Sequence, residues 1–131
     1  MEQTIRIWLL GNTDAHPFIA KEYWESHQST VQEQFLQAEV YVYETNGSIH
    51  GFVGIQGDYL AGIFVEKEFR GMGAGKQLLD HAKKLHPALT LNVYKKNELA
   101  VKFYRREGFS ILLEEVDQDT GEAEYTMSWT Q

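Results

Sequence analysis

The chain has 131 residues and no cysteine. That excludes a disulfide scaffold, a cysteine-based zinc site and a cysteine nucleophile, and with the last any covalent acyl-cysteine intermediate. Long apolar runs are missing as well. No stretch approaches the ~18–20 residues of a membrane-spanning helix. Ile7-Trp8-Leu9-Leu10 is too short for the apolar core of a signal peptide. No membrane contact and a reducing, cytoplasmic setting are therefore expected. Proline is scarce, with only Pro17 and Pro87, and there is no linker, internal repeat or low-complexity stretch. What remains is 43% hydrophobic and 24% charged, ordinary for a globular chain and too apolar for a disordered one. Residues 1–131 are expected to form a single domain.

The net charge of −7 is unevenly spread. Residues 67–106 hold ten of the twelve Lys and Arg residues and only three acids, Glu68, Asp80 and Glu98, for a local charge of +7. The other 91 residues carry −14. An acidic protein repels nucleic acid through its long-range field, so no nucleic-acid partner is expected. The basic block reads either as solvated helix faces or as a local site for a small anion, the second gaining weight near the glycine-rich turn it contains.

Residues 17–39 read as helical, with Pro17 in the first turn, Trp24, Val31 and Phe35 at helix-like spacing and room for a break near Ser29-Thr30. Thr4–Leu10 fits either a short helix or, through Ile5, Ile7 and Leu9, a strand. Val40–Tyr43 is β-branched and aromatic, and Asn46-Gly47 turns it into a return strand, Ile49–Ile55, with a bend or bulge at Gly51 or Gly54. Tyr59–Val65 is a third strand. Lys76–His86 is an amphipathic helix stopped by Pro87, and Leu89–Tyr94 a buried strand. Asn97–Glu107 is a helix ended by Gly108, before strands Phe109–Val116 and Tyr125–Trp129. This is an α+β chain with a mixed central sheet flanked by helices.

The strand–turn–helix at Val65 to Lys76 carries the chemical signal. Unpaired N–H groups at a helix start, with glycines that let an anion approach the backbone, make an anion site. Arg70-Gly71-Met72-Gly73-Ala74-Gly75-Lys76 fails the dinucleotide pattern G-x-G-x-x-G, because the sixth position falls on Lys76 or Leu78. It fails the P-loop pattern too: Gly71 to Gly75 is one residue short, and Gln77 replaces the magnesium-binding hydroxyl. The turn does satisfy R-x-x-G-x-G through Arg70, Gly73 and Gly75. Downstream, Asn97, Ala100, Phe103, Tyr104, Gly108 and Phe109 satisfy N-x-x-A-x-x-F-Y-x-x-x-G-F.

In this order and spacing the two motifs resemble the GNAT superfamily of acetyl-CoA-dependent N-acetyltransferases, over roughly residues 40–129. His16-Pro17-Phe18-Ile19 and Tyr23-Trp24 further resemble a group of small bacterial members that act on protein lysines. The resemblance implies acetyl-CoA as cofactor, with the pantetheine arm along Ile63, Phe64 and Val65. It implies the pyrophosphate on the amides of Arg70, Gly71, Met72, Gly73, Ala74, Gly75 and Lys76. Asn97, Phe103 and Tyr104 complete the cofactor set, and strands Tyr59–Val65 and Leu89–Tyr94 are splayed to admit it. Tyr104 matches the usual general acid, which protonates the departing thiolate; its plain alternative is packing with Phe103 and Ala100. The Val65 N–H is the implied oxyanion donor. The glutamate that serves some members as base is replaced by Tyr59, which either lines the acceptor channel while water removes the proton or is simply core.

The five histidines, at 16, 27, 50, 81 and 86, form no i, i+4 pair, and no metal is expected. His16 either lines the acceptor site or is an ordinary turn histidine. Relative to the family, the N-terminal strand and helix are shortened. A missing first strand leaves a bare sheet edge, through which pairing into a homodimer is expected. The implied activity is direct acetyl transfer to an amine of a protein or small molecule within a ternary complex. The rival is a non-catalytic acyl-CoA-binding regulatory module.

Overall fold

The computed structural model describes residues 2–131, so Met1 lies outside the described residues. Helix α1 spans Glu2–Ala15. Its buried positions, Thr4, Ile5, Ile7, Trp8, Gly11 and Asn12, follow a helical repeat. The strand reading of Thr4–Leu10 is thereby corrected: Ile5 and Ile7 face inward because Trp8 and Gly11 share their helix face, which a two-residue period could not produce.

The helical reading of residues 17–39 holds only in part. Pro17–Ile19 form a turn, closed by the Ile19 N–H donating to the His16 carbonyl at 3.0 Å. Helices α2 (Lys21–Ser26) and α3 (Gln28–Phe35) follow. They meet at His27, whose ring nitrogen bonds back to the Tyr23 carbonyl at 2.6 Å, so the break falls there rather than at Ser29-Thr30.

Strands β1 (Glu39–Thr45) and β2 (Ser48–Gln56) form a hairpin. Asn46 and Gly47 both have positive φ, as a two-residue hairpin turn requires. The register of β2 slips beside each expected glycine, at His50 against β1 and at Ala61 of β3 (Tyr59–Val65) opposite Gly54/Ile55. A short 3₁₀ turn, Lys67–Phe69, leads to α4 (Ala74–Leu85), β4 (Ala88–Tyr94), α5 (Glu98–Arg106), β5 (Ser110–Val116) and β6 (Ala123–Thr130). The six strands form one mixed sheet in the order β1-β2-β3-β4-β6-β5. Among the described residues no strand lies beyond β1, which is an edge.

Each face of the sheet has its own core. On one, α4 and α5 bury Leu78, Leu79 and Tyr104 against Val53, Ile55, Leu89, Leu91 and Met127. On the other, Ile7, Trp8 and Trp24 of the N-terminal helices pack on Phe52, Phe64 and Tyr94. A fully buried side chain such as Leu79 contributes roughly 1.5–3 kcal/mol by leaving water. No described helix is long and apolar enough to cross a membrane.

Candidate active site

β3 and β4 run parallel but share one register pair, Tyr59 with Thr90, where the Thr90 N–H donates to the Asp58 carbonyl at 3.0 Å. Beyond it the strands diverge, as expected for Tyr59–Val65 and Leu89–Tyr94. The Glu66 N–H donates to His50 of β2 at 2.7 Å. Alternation along the strand therefore turns the N–H and C=O of Val65 the other way, into the gap. The Val65 carbonyl accepts from Arg70 Nε at 2.8 Å, while its N–H is left pointing into a cleft of about 1080 Å³.

The cleft is lined by Ile63, Phe64 and Val65 of β3, by Arg70, Gly71, Gly73, Gly75 and Lys76 of the glycine turn and the start of α4, and by Asn97, Phe103 and Tyr104 of α5 and its cap. Two members of the implied cofactor set contribute no side chain to it: Met72 is exposed and Ala74 is buried beneath the turn. Gly71 and Gly73 both have φ of +82°, a left-handed conformation that glycine adopts without a Cβ penalty. Gly73 caps α4, whose first internal hydrogen bond runs from Gln77 N–H to the Gly73 carbonyl. The N–H groups of Ala74, Gly75 and Lys76 have no intrahelical partner, so they and the helix dipole favour an anion. The Arg70 guanidinium lies 3.8 Å from Asp14. Lys76 is held by Asp80 and Glu107, and these hydrogen bonds raise its pKa.

Tyr104 is 7% exposed, packs edge-on against Phe103 and Phe109, and has no hydrogen-bond partner for its hydroxyl among the described residues. Burial, with a smaller effect of Tyr59, pushes its pKa well above the usual phenol value. The hydroxyl thus keeps its proton at neutral pH and can give it to a basic leaving group. The ring is buried in packing while the residue still lines the cleft, so the two readings of Tyr104 do not exclude each other.

Tyr59 is not among the residues that line the cleft. Its hydroxyl accepts from Asn92 Nδ2 at 3.2 Å, and Asn92 Oδ1 accepts from Thr126 Oγ1 at 2.9 Å. Tyr59 is therefore no plain core residue: it is 38% exposed and held by a polar chain. Desolvation, then Glu124, raises its pKa.

His16 also lines the cleft, 7% exposed, with Nε2 3.3 Å from Asn97 Nδ2. Several residues of the lining carried no separate sequence signal, among them Asp14, Lys96 and Arg106. Gly11 did offer one. A glycine inside a helix marks a close approach, and a Cβ there would lie 3.0 Å from the Phe64 ring.

A family model described as an acetyltransferase (GNAT) domain matches residues 37–111. The chain is 36% identical over 127 residues to the peptidyl-lysine N-acetyltransferase YiaC of Escherichia coli (strain K12), covering 95% of this chain and 87% of that one. The solution structure of apo-form YjaB from Escherichia coli superposes with a TM-score of 0.84 and 27% identity, over 98% of this chain and 89% of that chain. An acetyltransferase structure from Bacillus anthracis str. Ames, solved in complex with acetyl coenzyme A, matches in fold with a TM-score of 0.66 and 24% identity, over 72% and 63% of the two chains. The family model over more than half of the chain and the 36% identity to YiaC, on a fold with a splayed parallel pair and a glycine turn at a helix start, make this chain a member of the GNAT family of acetyltransferases.

Proposed function

We propose that this acetyltransferase moves the acetyl group of acetyl-CoA directly to a primary amine, with the lysine side chain of a protein as the preferred acceptor. The observation that carries the reading is the gap beyond Tyr59 and Thr90, with the Val65 N–H and the Tyr104 hydroxyl both free beside it. A pantetheine arm laid along Ile63–Val65 adds a short strand to β3, and the amides from Arg70 to Lys76 receive the pyrophosphate. Met72 and Ala74 would contribute there through backbone only. Asn97 bonds the arm, and Phe103 packs beside it.

The neutral amine attacks the thioester carbonyl within a ternary complex. The Val65 N–H stabilises the oxyanion, the C–S bond breaks, and Tyr104 delivers its proton to the departing thiolate. Water carries the proton away from the amine, and the acceptor would approach from the side where Tyr59 lies, outside the cofactor cleft. The acceptor is assigned as lysine because YiaC and YjaB are named for that activity and because the acidic remainder of the chain attracts a cation. Residues 1–131 act as one domain, and two copies pair through the β1 edge.

Calorimetry with acetyl-CoA, using ATP and NAD as controls, tests the cofactor. Release of free CoA against a pool of lysine peptides and small amines tests the reaction. Saturable binding with amine-dependent release is expected. Binding without release for any amine would instead identify an acyl-CoA-binding regulatory module.

A further inference from the structure

His16 is buried in a turn that does not need an imidazole. Its N–H donates to the Asn12 carbonyl at 3.0 Å, at the end of α1. The ring stacks on Trp24, with centroids 5.3 Å apart, and meets Tyr94 and Phe18 edge-on. Two polar groups face the imidazole: the Asn12 backbone, which favours a protonated ring, and Asn97, 81 residues away in sequence, at 3.3 Å.

Proton bookkeeping fixes the direction of that contact. Asn97 Oδ1 accepts the Ala100 N–H at 3.3 Å and so caps α5. The carboxamide nitrogen is therefore the atom facing His16. An amide NH₂ only donates, so Nε2 of His16 is the acceptor and the ring proton sits on Nδ1, which is buried with no partner at hydrogen-bonding geometry, the Asn12 backbone being the polar group that acts on the ring from the other side. Burial favours this neutral form, bringing the pKa of His16 down to about 4. With Nε2 occupied and Nδ1 protonated, the ring cannot take a proton from an amine. It is no general base. One N–H of Asn97 is used by His16, and the second has no partner on a residue that lines the cleft.

We propose that His16 is a positioning residue, whose neutral imidazole holds the Asn97 carboxamide by one N–H so that the other is presented to an amide carbonyl of the pantetheine arm. This rests on the cleft being the acetyl-CoA site. Two segments far apart in sequence, the turn after α1 and the cap of α5, are then locked together where the cofactor passes between them.

The test is acetyl-CoA calorimetry with steady-state kinetics on the whole chain. His16→Phe keeps the stacking and removes the acceptor. It should weaken acetyl-CoA binding about 5–10-fold, the loss of one hydrogen bond's support, and raise KM for acetyl-CoA equally. Its kcat should change less than about 3-fold. His16→Gln, which can place a carboxamide oxygen near the Nε2 position, should restore most of the affinity. His16→Phe combined with Asn97→Ser, which keeps a capping oxygen, should bind no worse than Asn97→Ser alone. Full affinity in folded His16→Phe, or losses that add in the double variant, would overturn the proposal. One measurement needs no variant. In ¹⁵N NMR of the wild type at pH 7, His16 should show the neutral Nδ1–H tautomer, and the Asn97 NH₂ resonances should move on adding acetyl-CoA. The Nε2–H tautomer overturns the proposal by itself. Wild-type protein that binds no acetyl-CoA would sink the underlying reading of the cleft and this inference with it. Wild-type binding that is unaffected in His16→Phe would sink the inference alone.

Discussion

Tyr59 and Thr90 are register partners at the root of a gap, and past them β3 and β4 share no further register pair among the described residues. A buried parallel pair normally satisfies its backbone groups in a continuous ladder. Here β3 carries unpaired groups along a wall of the cleft instead. An extended ligand with its own amides can take them up. The side chain of Tyr104, on the far side of the gap, then lies beside whatever occupies it.

Tyr104→Phe deletes one oxygen and leaves the ring against Phe103 and Phe109. We expect kcat to fall about 100-fold, within the range for loss of a general acid. Acetyl-CoA affinity should stay within about 3-fold by calorimetry. An unchanged kcat removes Tyr104 from the mechanism. Because burial raises its pKa, wild-type activity should show no alkaline decline from this group below about pH 10.

Gly73→Ala and Gly47→Ala make a matched pair. Both glycines have φ near +80°, and a Cβ at either meets nothing within 4 Å. Each substitution should cost about 1–2 kcal/mol of stability from backbone strain alone, read by urea unfolding. Only Gly73 caps α4 at the cleft. Acetyl-CoA binding should therefore weaken about 10-fold or more in Gly73→Ala and stay unchanged in Gly47→Ala. Equal binding in both variants would make the turn structural.

The imidazole of His16 predicts an acid limb of stability. Its pKa falls from 6.5 to about 4 on folding, chiefly through burial. Between these values the unfolded chain binds a proton that the folded chain refuses. The contribution is complete above pH 6.5 and is lost as pH falls toward 4. Unfolding free energies measured across pH 4–7 should slope less steeply in His16→Gln than in the wild type, by at most about 1.4 kcal/mol per pH unit. Parallel curves would mean that His16 titrates normally in the folded protein.

The outer edge of β1 bears exposed Val42 and has no neighbouring strand among the described residues. Light scattering at micromolar concentration should give twice the chain mass. Val42→Lys, a charge on an exposed edge, should shift it to the monomer. A monomeric wild type counts against pairing through β1.

Much of the sheet was readable before any coordinates, because its signals are local. Asn46-Gly47 fixes a hairpin, Pro87 stops α4 and Gly108 ends α5. The first forty residues were harder for a physical reason. Ile5, Ile7 and Leu9 alternate as in a strand while Ile5 and Trp8 fit a helical period, and packing against Phe52 and Phe64 selects the helix. Pro17 likewise suits a helix start or a turn, and the His16 carbonyl bonded to Ile19 selects the turn.

The same division runs through the site. Arg70, Gly73 and Gly75, and then Asn97, Phe103 and Tyr104, could be read from spacing, since each set lies on one turn or one helix. Local sequence was enough to place the glycine turn at the start of α4 and Tyr104 on α5, and to exclude a cysteine nucleophile. The tertiary structure alone decided that β3 parts from β4, that Tyr59 hangs on Asn92 and Thr126, and that His16 reaches Asn97. Those relationships join residues about 30 to 81 positions apart, and a linear pattern holds no record of which distant side chains folding brings within hydrogen-bonding distance.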